Sequence, residues 1–305
     1  MNLTQARTKI ISTLLLASSV MATPLLASES GETGTNTLYL QQCAACHGPD
    51  RLGGMGPALL PENLGRLKKA EAEKVIREGR PATQMAGYKD ILNDQQIAAL
   101  TDFIYQPPSH ELKWGEAEIR NSQEVSHAAG SLPDEPAFEA DMMNLFLVVE
   151  IGDHHVPLLD GDKMEPIPRF PSRFALHGGP KYSPDGRYVY FGSRDGWITK
   201  YDIYNLKVVA EVRAGINMRN IAVSADGNYV LAANYLPHSM VLFDAANLEM
   251  LDFIPVENDA GESSRVSAVY TAPPRSSFIA ALKDIPEAWE ITVENQKAKL
   301  RRMTT

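Results

Sequence analysis

The chain has 305 residues, and at roughly 150 residues per domain this length predicts two domains. Its hydrophobic fraction of 44% and charged fraction of 22% exclude a fibrous or wholly disordered protein. The net charge of −9 argues against nucleic acid as a partner, because phosphate binding requires a basic surface. Two cysteines allow at most one disulfide bond, which excludes a disulfide framework.

The first 27 residues have the pattern of an export signal. Arg7 and Lys9 precede a mostly apolar run over residues 10–26, and the small residues Ala27 and Ser28 follow it. We expect cleavage near Ala27. The alternative is a membrane anchor, for which the run is short and rich in Ser and Thr. We therefore expect an exported protein with no membrane span once the signal is removed.

Residues 31–106 carry helical patterns. A short helix runs from Thr37 into the cysteines, and a second helix over residues 69–78 ends at Gly79. A third begins at the capping residue Asn93, with Gln96 three positions later, and stops before Pro107.

Residues 107–142 are predicted to form an acidic, proline-containing linker. A short helix is expected within residues 115–125, with Ile119 and Val125 partly buried. The histidines His110 and His127 are expected to be solvated.

From Met143 onward the apolar residues alternate, which favours strands, and the sequence repeats itself. The segment 183–190 aligns with 224–231, and each contains an Asp-Gly hairpin turn. Weaker copies cover residues 144–160 and 266–291. Four units of about 40 residues indicate β-propeller blades over residues 143–296. The alternative, a β-sandwich, leaves the fixed period unexplained. Residues 297–305 are predicted to be a basic tail without a strand.

Both cysteines belong to the segment Cys43-Ala-Ala-Cys46-His47. The two-residue gap brings both thiols to one side of a helical turn, where they can form thioethers to one haem, and His47 can ligate its iron. This is the attachment pattern of haem c. A redox Cys-x-x-Cys motif does not need the histidine, and a zinc site needs further Cys or His ligands nearby.

The second axial position of the haem iron suits a methionine. Met55 follows His47 by only 8 residues, which is too short a connection to cross the ring easily. Met85 follows by 38 residues, after one predicted helix and before the last one. We therefore expect Met85 to be the ligand; the alternative is a methionine in the core.

Residues 43–47, the segment Gly56-Pro57-Ala58-Leu59, Met85 and the helix ending at Tyr105 resemble a class I cytochrome c. The resemblance implies that the Pro57 carbonyl accepts the other N–H of the axial histidine. A cytochrome c followed by a propeller is similar to the cytochrome cd1 family. The segments 173–186, 193–196, 209–212 and 233–237 are closest to its NirN branch.

This resemblance implies an α + β two-domain fold: a small all-α class I cytochrome c domain followed by about four of the family's eight propeller blades, hence a truncated propeller. It also implies a periplasmic location and a second, non-covalent cofactor, haem d1 or its precursor.

In the family a propeller histidine binds the d1 iron, and His177 occupies the matching position. Three arginines match basic positions of the family and are candidates to hold d1 carboxylates: Arg194, Arg219 and Arg265.

These assignments have plainer alternatives. His177 also suits a capping or core role, and the three arginines suit an ordinary surface. The doublet His154-His155 lies in a predicted turn, where exposure is expected.

NirN-type proteins are periplasmic dehydrogenases that complete haem d1 for the nitrite reductase. The resemblance therefore implies dehydrogenation of a propionate side chain of a d1 precursor to an acrylate, with electrons passing to haem c. Cytochrome cd1 nitrite reductase or periplasmic electron carriers are the expected protein partners. Two alternatives remain open: the chain is itself a cytochrome cd1 nitrite reductase of denitrification, or it is a tetrapyrrole carrier or electron shuttle without enzymatic activity.

Overall fold

The computed structural model describes residues 32–109 and 112–305. The export signal predicted over residues 1–27 and the histidine His110 lie outside the described residues. Helices occupy the first part of the described chain: α1 (Glu32–Gln42), α2 (Ala44–His47), α3 (Pro61–Leu64), α4 (Lys69–Glu78), α5 (Asp94–Tyr105) and α6 (Glu116–Asn121). In the part of the chain that is described, none of the helices is long and apolar enough to cross a membrane.

Helices α1 to α5 pack around a small apolar core. Tyr39 of α1 and Ile97 and Leu100 of α5 are buried at its centre. The capping box predicted at the start of α5 is confirmed, because the Asn93 side chain accepts a hydrogen bond from the Gln96 backbone and the Gln96 side chain accepts one from the Asn93 backbone. These two bonds satisfy donors that the first turn of a helix leaves unpaired.

The rest of the described chain is mainly β-structure. Its strands are β1 (Glu124–Val125), β2 (Leu145–Leu147), β3 (His155–Asp160), β4 (Glu165–Pro171), β5 (Lys181–Tyr182), β6 (Tyr188–Gly192), β7 (Trp197–Asp202), β8 (Lys207–Arg213), β9 (Asn217–Val223), β10 (Tyr229–Leu236), β11 (Ser239–Asp244), β12 (Met250–Pro255), β13 (Val266–Ala272), β14 (Ser277–Leu282), β15 (Glu287–Glu294) and β16 (Lys297–Thr304).

These strands form four antiparallel sheets within the described residues. Sheet I contains β2 to β4, sheet II contains β5 to β8 with β1 added at its edge, sheet III contains β9 to β12, and sheet IV contains β13 to β16. Apolar side chains fill the spaces between neighbouring sheets: Tyr190 and Phe243 lie in the core between sheets II and III, and Phe278 lies in the core between sheets III and IV. Antiparallel sheets stacked in chain order agree with the predicted repeat.

The two Asp-Gly turns have the same hydrogen bonds. The Ser183 amide donates to the Tyr188 carbonyl at 2.9 Å, and the Ser224 amide donates to the Tyr229 carbonyl at 2.9 Å. Gly186 and Gly227 both have positive φ, which a glycine adopts at little cost. The repeat in the sequence is therefore a repeat of structure.

The prediction that residues 297–305 form a tail without a strand was wrong. Residues 297–304 are β16, which pairs with β15 over its full length. Its basic side chains face acidic partners on β15: Arg301 pairs with Glu290 at 3.3 Å, and Lys299 pairs with Glu294. Cross-strand ion pairs, and not a disordered terminus, account for the basic composition.

Residues 107–142 hold more structure than the predicted linker. Ile119 of α6 is fully buried in the core between sheets II and III, and β1 extends sheet II by pairing with β8. Val125, predicted to be partly buried, is exposed. Arg187 contacts this segment further along, pairing with Asp134 at 2.5 Å.

Three histidines expected at the surface are instead half-buried. His127 lies against sheet II, where its backbone amide donates to Val209. The His154 ring contacts Phe174 edge to face, with 5.1 Å between ring centroids, and its neighbour His155 begins β3. The strand and the aromatic contact therefore leave both members of the predicted exposed doublet only partly exposed.

Candidate functional site

The thiols and the histidine of the predicted haem attachment lie on and beside the single turn of α2. Cys43 is the residue that precedes α2, and the His47 amide closes the turn by donating to the Cys43 carbonyl at 2.9 Å. Both cysteines are free thiols, with Cys43 half-buried and Cys46 exposed. Burial raises the pKa of the Cys43 thiol to about 11. Two free thiols one helical turn apart fit the two thioether bonds of haem c.

The His47 ring is held in one orientation. Its Nδ1–H donates to the Pro57 carbonyl at 2.8 Å, as the resemblance implied, which leaves Nε2 to bind iron. Burial lowers the pKa of His47, and the bond to Pro57 opposes this shift. Gly56 lies against the ring, where a Cβ would come within 2.7 Å of Cε1. The chain therefore supplies a neutral, oriented imidazole of the kind that ligates haem iron.

The two methionines considered as the second ligand lie in different surroundings. Met55 is 58% exposed, in the loop that follows α2. Met85 is half-buried, in a turn that closes when the Arg80 amide donates to the Met85 carbonyl at 2.9 Å. This turn packs closely on Gly79, because a Cβ there would meet the Met85 carbonyl at 2.7 Å. Ligation by Met85 stays a prediction.

Two loops of the helical segment contact the β domain, the loop after α2 and the loop between α4 and α5. The Arg213 guanidinium donates to the Leu52 carbonyl, and Ile216 packs with Ala58 and Leu60. In the second loop, the Gln84 side-chain amide donates to the Asp153 carbonyl at 3.4 Å. The helical segment is therefore docked on the sheets through the loops that carry its candidate haem ligands.

His177, the predicted ligand of the second tetrapyrrole, lies in the connection from β4 to β5. Its Nδ1–H donates to the Arg219 carbonyl at 2.9 Å, and its backbone amide donates to the Gly192 carbonyl at 2.8 Å. Burial lowers the pKa of His177, and the charges of Arg219 and Arg194 lower it further. The imidazole is therefore neutral near pH 7, with Nε2 free of a partner among the described residues.

The glycine that follows His177 lets the chain pass close to a neighbouring sheet. Gly178 has φ +81°, and a Cβ there would meet the Asn220 side chain at 2.9 Å. A larger residue would be strained by the positive φ and would clash with Asn220, so this position requires glycine.

Cationic side chains gather around the Tyr235 ring near the end of β10. The Arg219 guanidinium lies 4.9 Å from the ring centroid, the Arg265 guanidinium 5.3 Å and the Lys283 ammonium 5.8 Å. Arg194 is electrostatically coupled to this group: burial lowers the pKa of Arg194, and the charge of Arg219 lowers it further. We call Arg194, Arg219, Arg265 and Lys283, with Tyr235, the cationic cluster. It brings together all three arginines predicted from the sequence.

The arginines of the cluster differ in how their charges are balanced. Arg265 forms a two-point ion pair with Asp284, at 2.5 and 2.8 Å. Arg194 and Arg219 have no acidic partner within residues 32–109 and 112–305, and the buried Nε of Arg219 has no hydrogen-bond acceptor there. A buried donor without an acceptor is costly, so the cluster fits an anionic ligand that supplies one.

Sequence reasoning missed two members of the cluster. Tyr235 belongs to the segment 233–237 that carried part of the resemblance, but nothing in the segment indicated that three cations would surround its ring. Lys283 is a lone basic residue at the end of a strand. Their proximity to Arg219 depends on how sheets III and IV stack, which local sequence does not encode.

Comparisons with known proteins agree with both parts of the chain. The Cytochrome D1 heme domain family matches residues 140–305, and the family of cbb3-type cytochrome c oxidase subunit III matches residues 32–104. A dihydro-heme d1 dehydrogenase of Pseudomonas aeruginosa is 60% identical over 270 residues, covering 88% of this chain and 55% of that protein. A nitrite reductase of Stutzerimonas stutzeri is 26% identical, over 93% of this chain and 52% of that protein.

The solved structure of dihydro-heme d1 dehydrogenase NirN in complex with DHE superposes with a TM-score of 0.82 and 58% sequence identity, over 89% of this chain and 58% of that one. The chain spans about half the length of the curated relatives named above. The mainly β part has the fold of the D1 domain in that structure, and the helical part matches a cytochrome c family. The chain therefore belongs to the cytochrome d1 haem domain family, with a cytochrome c segment ahead of the family's β domain.

Proposed function

We propose that this chain is a periplasmic haem c protein that binds dihydro-haem d1 and dehydrogenates it, passing the electrons to its haem c. The observation that carries the proposal is the pair of unneutralised arginines, Arg194 and Arg219, beside the oriented imidazole of His177. A ligand with a metal and several carboxylates satisfies both features. The 60% identity to a dihydro-heme d1 dehydrogenase supports the choice among such ligands.

In the helical segment, Cys43 and Cys46 would hold haem c through thioethers, and His47 and Met85 would be its axial ligands. When bound, haem c supplies an iron that accepts one electron at a time. The chain's own contribution is to fix the His47 ring through Pro57 and to keep the imidazole neutral by burial.

In the β domain, His177 would ligate the iron of the d1 precursor, and Arg194 and Arg219 would bind its carboxylates. Guanidinium groups suit this role because they bind carboxylates through two parallel hydrogen bonds. Arg265 contributes less, because Asp284 already neutralises it. Fixing carboxylates from several directions would orient a planar ligand on the end of the sheets, with one propionate side chain available for reaction.

The proposed reaction removes two electrons and two protons from a propionate side chain and leaves an acrylate; the protons would go to water, and the electrons would leave one after the other through haem c to a periplasmic electron carrier. The chain's own residues bind and orient the substrate, and the docking of the helical segment on the sheets keeps the electron acceptor nearby. We propose that the four sheets correspond to about four blades of the family's propeller. Periplasmic electron carriers or the cytochrome cd1 nitrite reductase would be the protein partners.

The test is a turnover experiment with purified protein that carries haem c. After incubation with dihydro-haem d1, we expect the absorption spectrum of haem d1 to develop while haem c becomes reduced. Binding without product would instead favour the carrier function. Turnover of nitrite by the d1-loaded protein would favour a nitrite reductase.

A further inference from the structure

We infer that the turn over residues 151–154 fixes the separation between haem c and the proposed d1 ligand, and that His154 is its positioning residue for electron transfer. We call residues 151–154 the bridging turn. This inference rests on the proposed function, because it concerns the electrons that the dehydrogenation releases. Each of the two electrons passes singly from the tetrapyrrole at His177 to haem c, and from there to a periplasmic electron carrier.

The bridging turn is anchored to sheet I at both of its ends. The Glu150 amide donates to the His155 carbonyl at 2.9 Å, and the His155 amide donates to the Glu150 carbonyl at 3.3 Å. The Arg169 guanidinium of β4 also forms ion pairs with Glu150, at 2.6 Å, and with Asp153 inside the turn. Segments that contact this turn are therefore held in place relative to the sheet.

One side of the bridging turn contacts the loop that carries Met85. A Cβ on Gly152 would meet the Ala82 carbonyl oxygen at 2.7 Å, so the two backbones touch. The next residue, Asp153, accepts the hydrogen bond from the Gln84 side chain. Ala82 has φ +57°, a conformation that is unfavourable for a residue with a side chain and persists only where neighbouring contacts impose it. The loop of the proposed sixth haem c ligand is therefore positioned against this turn.

The other side of the bridging turn contacts the connection that carries His177. The His154 ring packs edge to face on Phe174, with 5.1 Å between centroids, and its Nδ1 accepts a hydrogen bond from the Ala175 amide at 3.5 Å. These two partners lie three and two positions before His177 in the chain. His154 has φ +60°, so its backbone too is held in an unfavourable conformation. The imidazole is therefore the contact between the bridging turn and the proposed ligand of the d1 iron.

The bridging turn thus contacts both ligand-bearing segments through three consecutive residues. The rate of a step between two bound groups depends steeply on their relative placement, and a misplacement of about 1 Å can cost on the order of 100-fold. Without the imidazole, the connection to His177 loses its contact with the turn, whereas the loop that carries Met85 keeps its own. Each cofactor is then still bound, but their separation is no longer fixed.

The experiment follows reduction of haem c by dihydro-haem d1 in a single turnover, using stopped-flow absorption of the full-length, haem c-loaded protein. His154→Gly removes the imidazole and suits the positive φ, so the turn keeps its backbone. We expect electron transfer to slow about tenfold, while the haem c potential and the affinity for haem d1 stay as in the parent. His154→Asn should recover part of the rate, because asparagine tolerates positive φ and its Oδ1 can accept the Ala175 amide.

The matched control is Met164→Gly. Met164 also has a positive φ, +55°, in a turn of sheet I, and its side chain is 74% exposed. Its turn follows the opposite end of β3, about 20 Å from the bridging turn for a strand of this length. This variant changes the same kind of position without touching either cofactor segment, so it should transfer electrons at the rate of the parent.

A second readout needs no d1 ligand. In haem c-loaded protein, amide hydrogen exchange over residues 174–177 should be faster in His154→Gly than in the parent, because the Ala175 amide loses its acceptor. Met164→Gly should exchange there like the parent.

The possible outcomes separate this inference from the proposed function. An unchanged rate of electron transfer in His154→Gly, with a parent that reduces haem c, would overturn the inference alone. A slower rate that is accompanied by a changed haem c potential or weaker haem d1 binding would also overturn it, because His154 would then act on one cofactor and not on their separation. Failure of dihydro-haem d1 to reduce haem c in the parent would overturn the proposed function, and this inference with it.

Discussion

The Nδ1–H of His177 donates to the backbone carbonyl of Arg219 at 2.9 Å, which joins a candidate iron ligand to a candidate carboxylate-binding residue. The bond fixes the tautomer, because a carbonyl oxygen only accepts, and it leaves the Nε2 lone pair available. It also sets the ring orientation relative to the Arg219 backbone. Ligand-binding histidines are commonly held in this way by a carbonyl or carboxylate.

Replacing His177 by alanine should change the state of the iron without abolishing binding, since Arg194 and Arg219 remain. We expect the absorption and electron paramagnetic resonance spectra of bound haem d1 to show a changed spin state. His127→Ala is the control, because His127 is another half-buried histidine of the β domain, and its side chain forms no hydrogen bond, ion pair or ring contact with a described residue. An unchanged spectrum in His177→Ala would remove this residue from the site.

The two arginines beside Tyr235 should not contribute equally to binding. Arg219 has a buried Nε without an acceptor, whereas Arg265 is paired with Asp284. We expect Arg219→Ala to weaken haem d1 binding by about 3 kcal/mol, because a carboxylate desolvated by the ligand site loses its partner. Arg265→Ala should cost about 1 kcal/mol or less.

Titration of both variants with haem d1 measures the difference directly. His177 still provides ligation in Arg219→Ala, so the spectrum at saturation should match that of the parent. A larger loss in Arg265→Ala than in Arg219→Ala would contradict the assignment of Arg219 as the main carboxylate-binding residue.

Short-range patterns predicted the structure well where neighbouring residues decide it. Asn93 and Gln96 cap the same helix turn, and the Asp-Gly turns at residues 185–186 and 226–227 repeat with the same hydrogen bonds. The Pro57 carbonyl contacts His47 as the resemblance implied. These features need little information beyond ten residues of sequence.

Features that depend on distant partners were missed. Residues 297–304 form a strand because β15 offers acidic partners, and the basic segment alone gave no sign of them. Tyr235 and Lys283 belong to the cationic cluster only because sheets III and IV are neighbours. The three arginines of the cluster, Arg194, Arg219 and Arg265, come from separate segments of the chain, which no local pattern brings together.

Replacing both Cys43 and Cys46 by alanine should prevent folding of the helical segment. This segment is small, and small domains commonly depend on a bound group for part of their core. We expect no covalent haem after denaturing electrophoresis and no helical unfolding transition in circular dichroism, while the sheets still unfold cooperatively. A retained cooperative transition of the helices would contradict the view that haem c completes their core.

Replacing Met85 by alanine should remove the sixth ligand of the haem c iron. We expect loss of the methionine-to-iron charge-transfer band and a lower reduction potential, because methionine ligation raises the potential. Met55→Ala is the matched control and should keep the band, since Met55 is exposed in a separate loop. The opposite result, with the band lost only in Met55→Ala, would transfer the ligand role to Met55.

The ion pair between Arg265 and Asp284 predicts a pH dependence of stability with a definite sign. The hydrogen bonds from Arg265 lower the pKa of Asp284 from 3.8 to about 2. The unfolded chain therefore takes up a proton at a higher pH than the folded chain does. The stabilisation is complete above about pH 4 and is lost as the pH falls towards 2.

Asp284→Asn removes this contribution and shows how large it is. Both side chains are partly exposed, so we expect a modest effect. At pH 6 the free energy of unfolding of the β-sheets in urea should be about 1 kcal/mol higher in the parent than in the variant. This difference should shrink towards zero between pH 4 and pH 2. Glu249→Gln is the control, because Glu249 is an exposed carboxylate of the same domain whose side chain forms no hydrogen bond or ion pair with a described residue. The difference in unfolding free energy between this control and the parent should stay small throughout. A difference between the parent and Asp284→Asn that persists unchanged down to pH 2 would mean that packing, and not the ionised pair, is what the variant loses.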